Sequence, residues 1–192
     1  GNIGRTSLVI GSILNNNKNF VTLESNTSIY KQLVENRDLN NMNFYIENSA
    51  LSKRNLIQKG WNTVVSDELL EGYEKVNCIT YNELKKKYNI SFDTLMIDCE
   101  GAFYYILLDM PEILENINLI IMENDYLIKE HKHYIDEILI QNHFKRDYVE
   151  SGGWGHFYNN FFEVWKRDIK NNNSIQNINY EIVEKINLKK TL

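Results

Sequence analysis

A chain of 192 residues is long enough for one domain with a substantial core and too short for two comfortable ones. With 43% hydrophobic residues, 24% charged residues and a formal net charge of -5, its composition is ordinary for a globular protein, and the acidic balance argues against a nucleic-acid or anionic-membrane partner. No apolar run approaches the roughly 20 residues that span a bilayer, and the two cysteines, Cys78 and Cys99, need no disulfide framework, so a soluble, cytoplasmic protein with reduced thiols is expected. The skew toward Asn, Ile, Lys and Tyr, with Asn runs at Asn15 to Asn17 and Asn171 to Asn173, suggests an AT-rich genome.

Gly1-Asn2-Ile3-Gly4 leads directly into Arg5 to Leu14, where Ile3, Leu8, Ile10, Ile13 and Leu14 predict one broad apolar helical face. A glycine turn feeding a helix start suits a phosphate or carboxylate, because free N–H groups and the helix dipole point there, although Gly-x-x-Gly alone is weak. Asn19 to Glu24 reads as a short strand ending in an acid about 20 residues after Gly4, the spacing by which nucleotide-binding crossovers reach ribose hydroxyls. Asn26 to Asp38 reads as a helix capped by Asn26, and Asn43 to Glu47 as a third element, a strand followed by the small-residue turn Asn48 to Ser52.

From Lys53 to Lys75 the pattern weakens. Thr63-Val64-Val65 is its only strand-like patch, which predicts an excursion outside the sheet, such as a flap. Val76 to Ile79 is a brief strand, and Thr80 with Glu83 forms a capping-box pattern at the next helix. Phe92 to Ile97 is then apolar enough for a buried parallel strand, and it empties into Asp98-Cys99-Glu100-Gly101. Ala102 to Asp109 is a helix stopped by Pro111. Asn118 to Asn124 is a strand buried on both faces, ending in Glu123, Asn124 and Asp125. The helix from about Lys129 to Gln141 should turn Tyr134, Ile135, Ile138 and Leu139 inward. Lys145 to Glu150 and Phe161 to Arg167 close the pattern as a β-hairpin with a long glycine-rich tip, and residues 168–192 read as an Asn-rich tail.

Alternating strands and helices imply an α/β fold with a mostly parallel sheet and helices on both faces, in which ligands lie beyond the carboxyl ends of the strands. The glycine turn, Glu24, the Asn48 to Leu51 turn, Asp98 to Gly101 and Glu123 to Asp125 all fall at such ends. Cys99 between two acids reads as a small core residue, His131 and His133 as solvated, and Trp165 as core. His156 lies in the Gly-Trp-Gly loop, where it can contact an acceptor or only water. Trp61 and Trp154 either line a pocket or pin their loops.

Gly1-Asn2-Ile3-Gly4, the strand ending in Glu24, Ser49-Ala50-Leu51-Ser52, Thr80 to Leu84 and above all Ile97-Asp98-Cys99-Glu100-Gly101-Ala102 resemble FkbM-type S-adenosylmethionine-dependent methyltransferases, over Gly1 to about Arg167. The resemblance implies a Rossmann-like class I methyltransferase fold closed by the antiparallel hairpin. It also implies O-methylation of a small hydroxylated acceptor such as a sugar or glycan. It sets the cofactor's methionine part against Gly1, Asn2 and Gly4, its ribose on Glu24, its adenine near Ser49 and Ala50, and its sulfonium near Asp98. Asp98 is the first choice of base, with Glu100 and Glu123 beside it and Asp125 and His156 as further candidates; Glu100 can instead cap the helix after Gly101. Asp98, Glu123 and Asn124 could also converge on a divalent ion, although no resident metal is expected.

The family pattern places a hydrophobic strand before the glycine turn, and its absence here predicts a slot in the sheet unless it is supplied upstream of Gly1. Two rival readings stay open: a non-catalytic Rossmann-like scaffold derived from a methyltransferase, and, less in keeping with the Asp98 to Gly101 element, a nicotinamide-dependent oxidoreductase.

Overall fold

A computed structural model describes residues 1–168, so the Asn-rich segment lies outside the described residues except for Asp168. The chain divides into two compact units, Gly1–Ile90 and a second that begins at Ser91. No helix among the described residues is long and apolar enough to cross a membrane.

The first unit opens with α1 (Arg5–Ile13), β1 (Val21–Leu23), α2 (Thr27–Leu39) and β2 (Tyr45–Glu47). β1 and β2 pair in parallel, with Val21 opposite Tyr45 and Leu23 opposite Glu47. α2 begins where predicted, because the Asn26 side chain accepts from the N–H groups of Ser28 and Ile29, a cap that contributes about 1 kcal/mol. Its Leu33 is fully buried. α1 corrects its expected face. Ser7 and Gly11 are its buried residues, while Val9 and Ile13 are 64% and 75% exposed. The small stripe Gly4-Ser7-Gly11 lets the helix backbone come close: Ser7 Oγ donates to Thr22 Oγ1 at 3.1 Å, and a Cβ on Gly11 would lie 3.3 Å from the Phe44 ring.

The excursion is more regular than its sequence suggests. β3 (Ala50–Leu51) is followed by β4 (Leu56–Lys59), β5 (Asn62–Val65), β6 (Glu74–Val76) and β7 (Cys78–Ile79). β3 pairs with β7 in parallel, and β4 is the centre of a separate antiparallel sheet between β5 and β6. Ile57, 1% exposed, fixes that sheet to the unit's core. Gln58 and Lys59 in β4 and Glu74 and Lys75 in β6 hid these strands from a hydrophobicity reading. α3 (Tyr81–Tyr88) carries the predicted capping box, Thr80 and Glu83 each bonding the other's backbone N–H, and ends at left-handed Asn89.

The second unit holds β8 (Thr94–Ile97), α4 (Phe103–Asp109), β9 (Leu119–Glu123), α5 (Lys129–Gln141), β10 (Phe144–Glu150) and β11 (Phe162–Arg167), with sheet order β10-β11-β9-β8. β8 and β9 are parallel, β11 runs antiparallel to β9, and β10–β11 is the predicted hairpin. The hairpin's register slips between Arg146 and Tyr148. Asp168 is tied to its base: its N–H donates to the His143 carbonyl.

The expectation of a mostly parallel sheet is corrected. The sheets are mixed, because the excursion folds as its own antiparallel sheet around β4 and the strand β11 of the expected hairpin runs against β9. β8 and β9 also fall short of burial on both faces. β8 ends its described sheet and leaves Met96 37% exposed, and along β9 only Ile120 and Met122 are buried. Among the described residues β1 and β8 each pair on one side alone.

α5 also differs from its predicted face. Ile135, Ile138 and Leu139 are buried, but their fourth partner is Lys132 rather than Tyr134. His131 is only partly exposed, with its ring stacked on Tyr104 at a centroid distance of 3.8 Å, whereas His133 is exposed as expected. Trp165 is core, 2% exposed, as its place in the last strand predicts.

Candidate functional site

In the first unit, the carboxyl end of β1 and the glycine turn are held together by Glu24. Asn2 and Gly4 are both left-handed, with φ of 45° and 99°, and the turn uses its own N–H groups: Ile3 N donates to Asn2 Oδ1 at 2.7 Å and Gly4 N to the Gly1 carbonyl at 3.2 Å. Glu24 Oε2 accepts from Asn2 N at 2.7 Å and its Oε1 from Asn26 N at 2.9 Å, so one carboxylate joins the turn to the cap of α2. Each oxygen retains a second lone pair toward which a ligand hydroxyl can donate. Asn48 Nδ2 donates to the Glu24 carbonyl at 2.9 Å, and Ser25 Oγ donates to Gln58 Oε1 at 2.9 Å, bringing β4 to the same rim.

The structure therefore gathers Gly1, Asn2, Gly4 and Glu24, and adds Asn48 and Gln58, which the sequence reading did not single out. Asn48 lay within a flagged turn; nothing in the sequence marked Gln58. Ser49 is turned inward. Its hydroxyl donates to Glu47 Oε1 at 3.0 Å, and Ala50 is paired with Cys78. Glu47 also accepts from Tyr88 at 2.7 Å and faces Lys87 at 2.7 Å. Burial pushes the Glu47 carboxyl up, but Lys87, Tyr88 and Ser49 together outweigh it and hold the group below the usual range.

In the second unit, the parallel register sets Ile97 opposite Met122, so Asp98 and Glu123 leave adjacent strand ends side by side. Ligand oxygens of Asp98, Glu100 and Asp125 lie within 4.8 Å of one another. Asp98 and Glu100 are exposed, whereas Asp125 is 7% exposed and accepts from Gly101 N at 2.9 Å. Glu100 does not cap α4: the helix starts at Phe103 behind Ala102, which makes no side-chain cap.

Crowding of like charges shapes this rim. Burial, then the charges of Asp98, Asp125 and Glu100, push Glu123 up to about 7. Burial and Glu100 push Asp125 up to about 6 against the pull of backbone N–H groups. Glu100 is exposed as a whole, yet partial desolvation of its carboxyl and the Asp98 charge also push it up. Carboxyls that change charge near neutrality are suited to proton transfer.

Three hard oxygen donors this close could also hold a magnesium or calcium ion. That set is Asp98, Glu100 and Asp125, and Glu123 of the expected trio stands outside it; Asn124 donates through Nδ2 to the Asn160 carbonyl and keeps a buried Oδ1 that no hydrogen bond engages among the described residues. Burial and the Asp125 charge push the Cys99 thiol up to about 12, so it stays protonated and is no nucleophile. His156 and Trp154 are exposed in the hairpin's tip, and Trp61 is exposed at the β4–β5 turn. Comparison of the chain with protein-family models, with curated proteins and with solved structures returned no match.

Proposed function

We propose that this chain is a Rossmann-like S-adenosylmethionine-dependent methyltransferase that acts on a hydroxyl of a small acceptor such as a sugar. The observation that carries the reading is the Glu24 carboxylate at the end of β1, clasping the left-handed glycine turn through Asn2 N. A carboxylate beside a glycine turn suits a nucleoside with a vicinal diol and a zwitterionic tail, because the acid accepts from hydroxyls and the start of α1, which no side chain caps, suits an anion.

In the reaction an acceptor oxygen attacks the methyl carbon. The new C–O bond forms as the C–S⁺ bond breaks, sulfur leaves as a neutral thioether, and the hydroxyl proton passes to a carboxylate. By the resemblance alone, Asp98 is assigned to the sulfonium charge and the acceptor proton. Glu123, pushed up to about 7 at the adjacent strand end, can take that proton on from Asp98. Positioning supplies much of the rate in such an in-line transfer.

Calorimetry and thermal unfolding with S-adenosylhomocysteine test the reading. The ligand is expected to raise the melting temperature and NAD to leave it unchanged, and Glu24→Ala is expected to weaken binding about tenfold or more, the loss of a charge-assisted hydrogen bond. No shift and no heat with S-adenosylhomocysteine overturns the enzyme reading in favour of a scaffold, and a shift with NAD alone favours the oxidoreductase.

A further inference from the structure

Between Ile97, the last residue of β8, and Phe103, the first of α4, the chain turns through two successive left-handed residues, Glu100 with φ 51° and Gly101 with φ 79°. Glycine adopts this conformation freely, whereas a residue with a Cβ costs about 1 kcal/mol there. Such a turn persists where something outside it fixes it. Ala102 N closes it locally onto the Cys99 carbonyl at 3.0 Å. From outside, the anchor is Asp125, whose Oδ1 accepts from Gly101 N at 2.9 Å while backbone N–H groups of Asp125 and Glu100 also stabilise its charge.

The geometry points to Asp125 as a positioning residue: its buried carboxylate holds the Glu100–Gly101 turn and thereby sets how Asp98 and Glu100 leave β8. This divides the acids by burial. Asp125 is 7% exposed and committed to backbone N–H groups, whereas Asp98 and Glu100 are open to a ligand. Asp125 acts through the turn rather than on a reacting atom. The role does not depend on Asp125 being charged, since an amide oxygen can accept the same bond. Its effect on the cofactor rests on the methyltransferase reading, in which Asp98 answers the sulfonium; the hold on the turn does not.

Asp125→Asn and Asp125→Ala separate these points. Amide hydrogen exchange of Gly101 is expected to stay near wild type in Asp125→Asn and to quicken about tenfold or more in Asp125→Ala, as the loss of a hydrogen bond to an ionised group implies. Sinefungin, which carries an ammonium where the cofactor carries its sulfonium, should bind wild type and Asp125→Asn in the same ratio to S-adenosylhomocysteine, and that ratio should fall in Asp125→Ala and in Asp98→Asn. Asp125→Ser, too short to reach Gly101 N, replaces Asp125→Ala if the latter does not fold. Unchanged Gly101 exchange on loss of the side chain overturns the proposal, as does an Asp125→Asn variant that behaves like Asp125→Ala. Wild-type protein that binds neither nucleoside removes the methyltransferase reading alone, because the exchange comparison still decides the role of Asp125.

Discussion

Lys132 and Glu163 form an ion pair inside the second unit, with side chains 1% and 0% exposed and Nζ 3.0 Å from Oε2. Lys132 also bonds Asp136 one turn along α5, and Glu163 accepts from Arg146 Nη1 at 2.8 Å, Trp165 Nε1 at 2.8 Å and Asn160 Nδ2 at 3.1 Å. Every lone pair of a buried carboxylate thus finds a donor, which is the condition under which a buried charge is tolerated. The pair fastens α5 to β11.

Removing one partner of such a pair leaves a buried charge short of compensation, a loss of about 3–5 kcal/mol. Arg146 retains one bond to Glu163, so Lys132→Met is expected near the lower end, about 3 kcal/mol by urea denaturation. Burial pushes Glu163 up, but Lys132, Arg146 and Trp165 outweigh it and hold the carboxyl below its ordinary value. That part of the stability is present above the unfolded carboxyl pKa and is lost as the pH falls through the folded value. An acid limb unchanged in Glu163→Gln would contradict the assignment.

Glu123 has the opposite sign. Its folded pKa, pushed up to about 7, exceeds the ordinary glutamate value, so the folded state holds the extra proton between the two. Stability therefore declines as the pH rises from about 4 to about 7 and then levels off. Glu123→Gln is expected to match wild type near pH 4 and to gain about 1 kcal/mol at pH 8, a figure already reduced for solvent screening of a half-buried group. Urea titrations at the two pH values check it, and an equal gain at both rules out charge crowding as the cause.

Gly4 and Gly60 offer a paired test of the glycine turn. Both are left-handed, with φ of 99° and 59°, but a Cβ on Gly4 would lie 2.7 Å from Leu33 Cδ1, whereas Gly60 has open space. Gly60→Ala should lose only the backbone preference, about 1 kcal/mol, and Gly4→Ala should lose about 1–3 kcal/mol more as buried Leu33 is displaced. Thermal unfolding ranks the two, and titration with S-adenosylhomocysteine should show weaker binding for Gly4→Ala alone.

Local chemistry made much of the fold legible. Asn26 and the Thr80–Glu83 box announce their helices because capping is decided within three residues. The ends of β8 and β9 are marked by an abrupt change from apolar to acidic, and the hairpin by its glycine-rich tip. What escaped depends on partners distant in sequence. Lys132 reads as surface because its counter-charge, Glu163, is supplied by β11. The face of α1 was misjudged because Gly4, Ser7 and Gly11 pack by smallness, which hydrophobicity does not register. The parallel count failed because the excursion, with few apolar residues, pairs antiparallel in a sheet of its own, a property of topology rather than of any one strand's residues. Asp125 was visible as an acid, but the left-handed Glu100 that it holds was not.

The register slip in β10 bears on how these molecules meet one another. Lys145, Arg146 and Asp147 follow in sequence on β10, the outermost strand of the sheet among the described residues, and the slip falls between Arg146 and Tyr148. A strand from a neighbouring molecule laid along that margin would lose its regular hydrogen-bond spacing at the slip and meet charge on both sides of it. That margin is therefore a poor template for chain-to-chain growth, even with exposed Tyr148 and Val149 beside it.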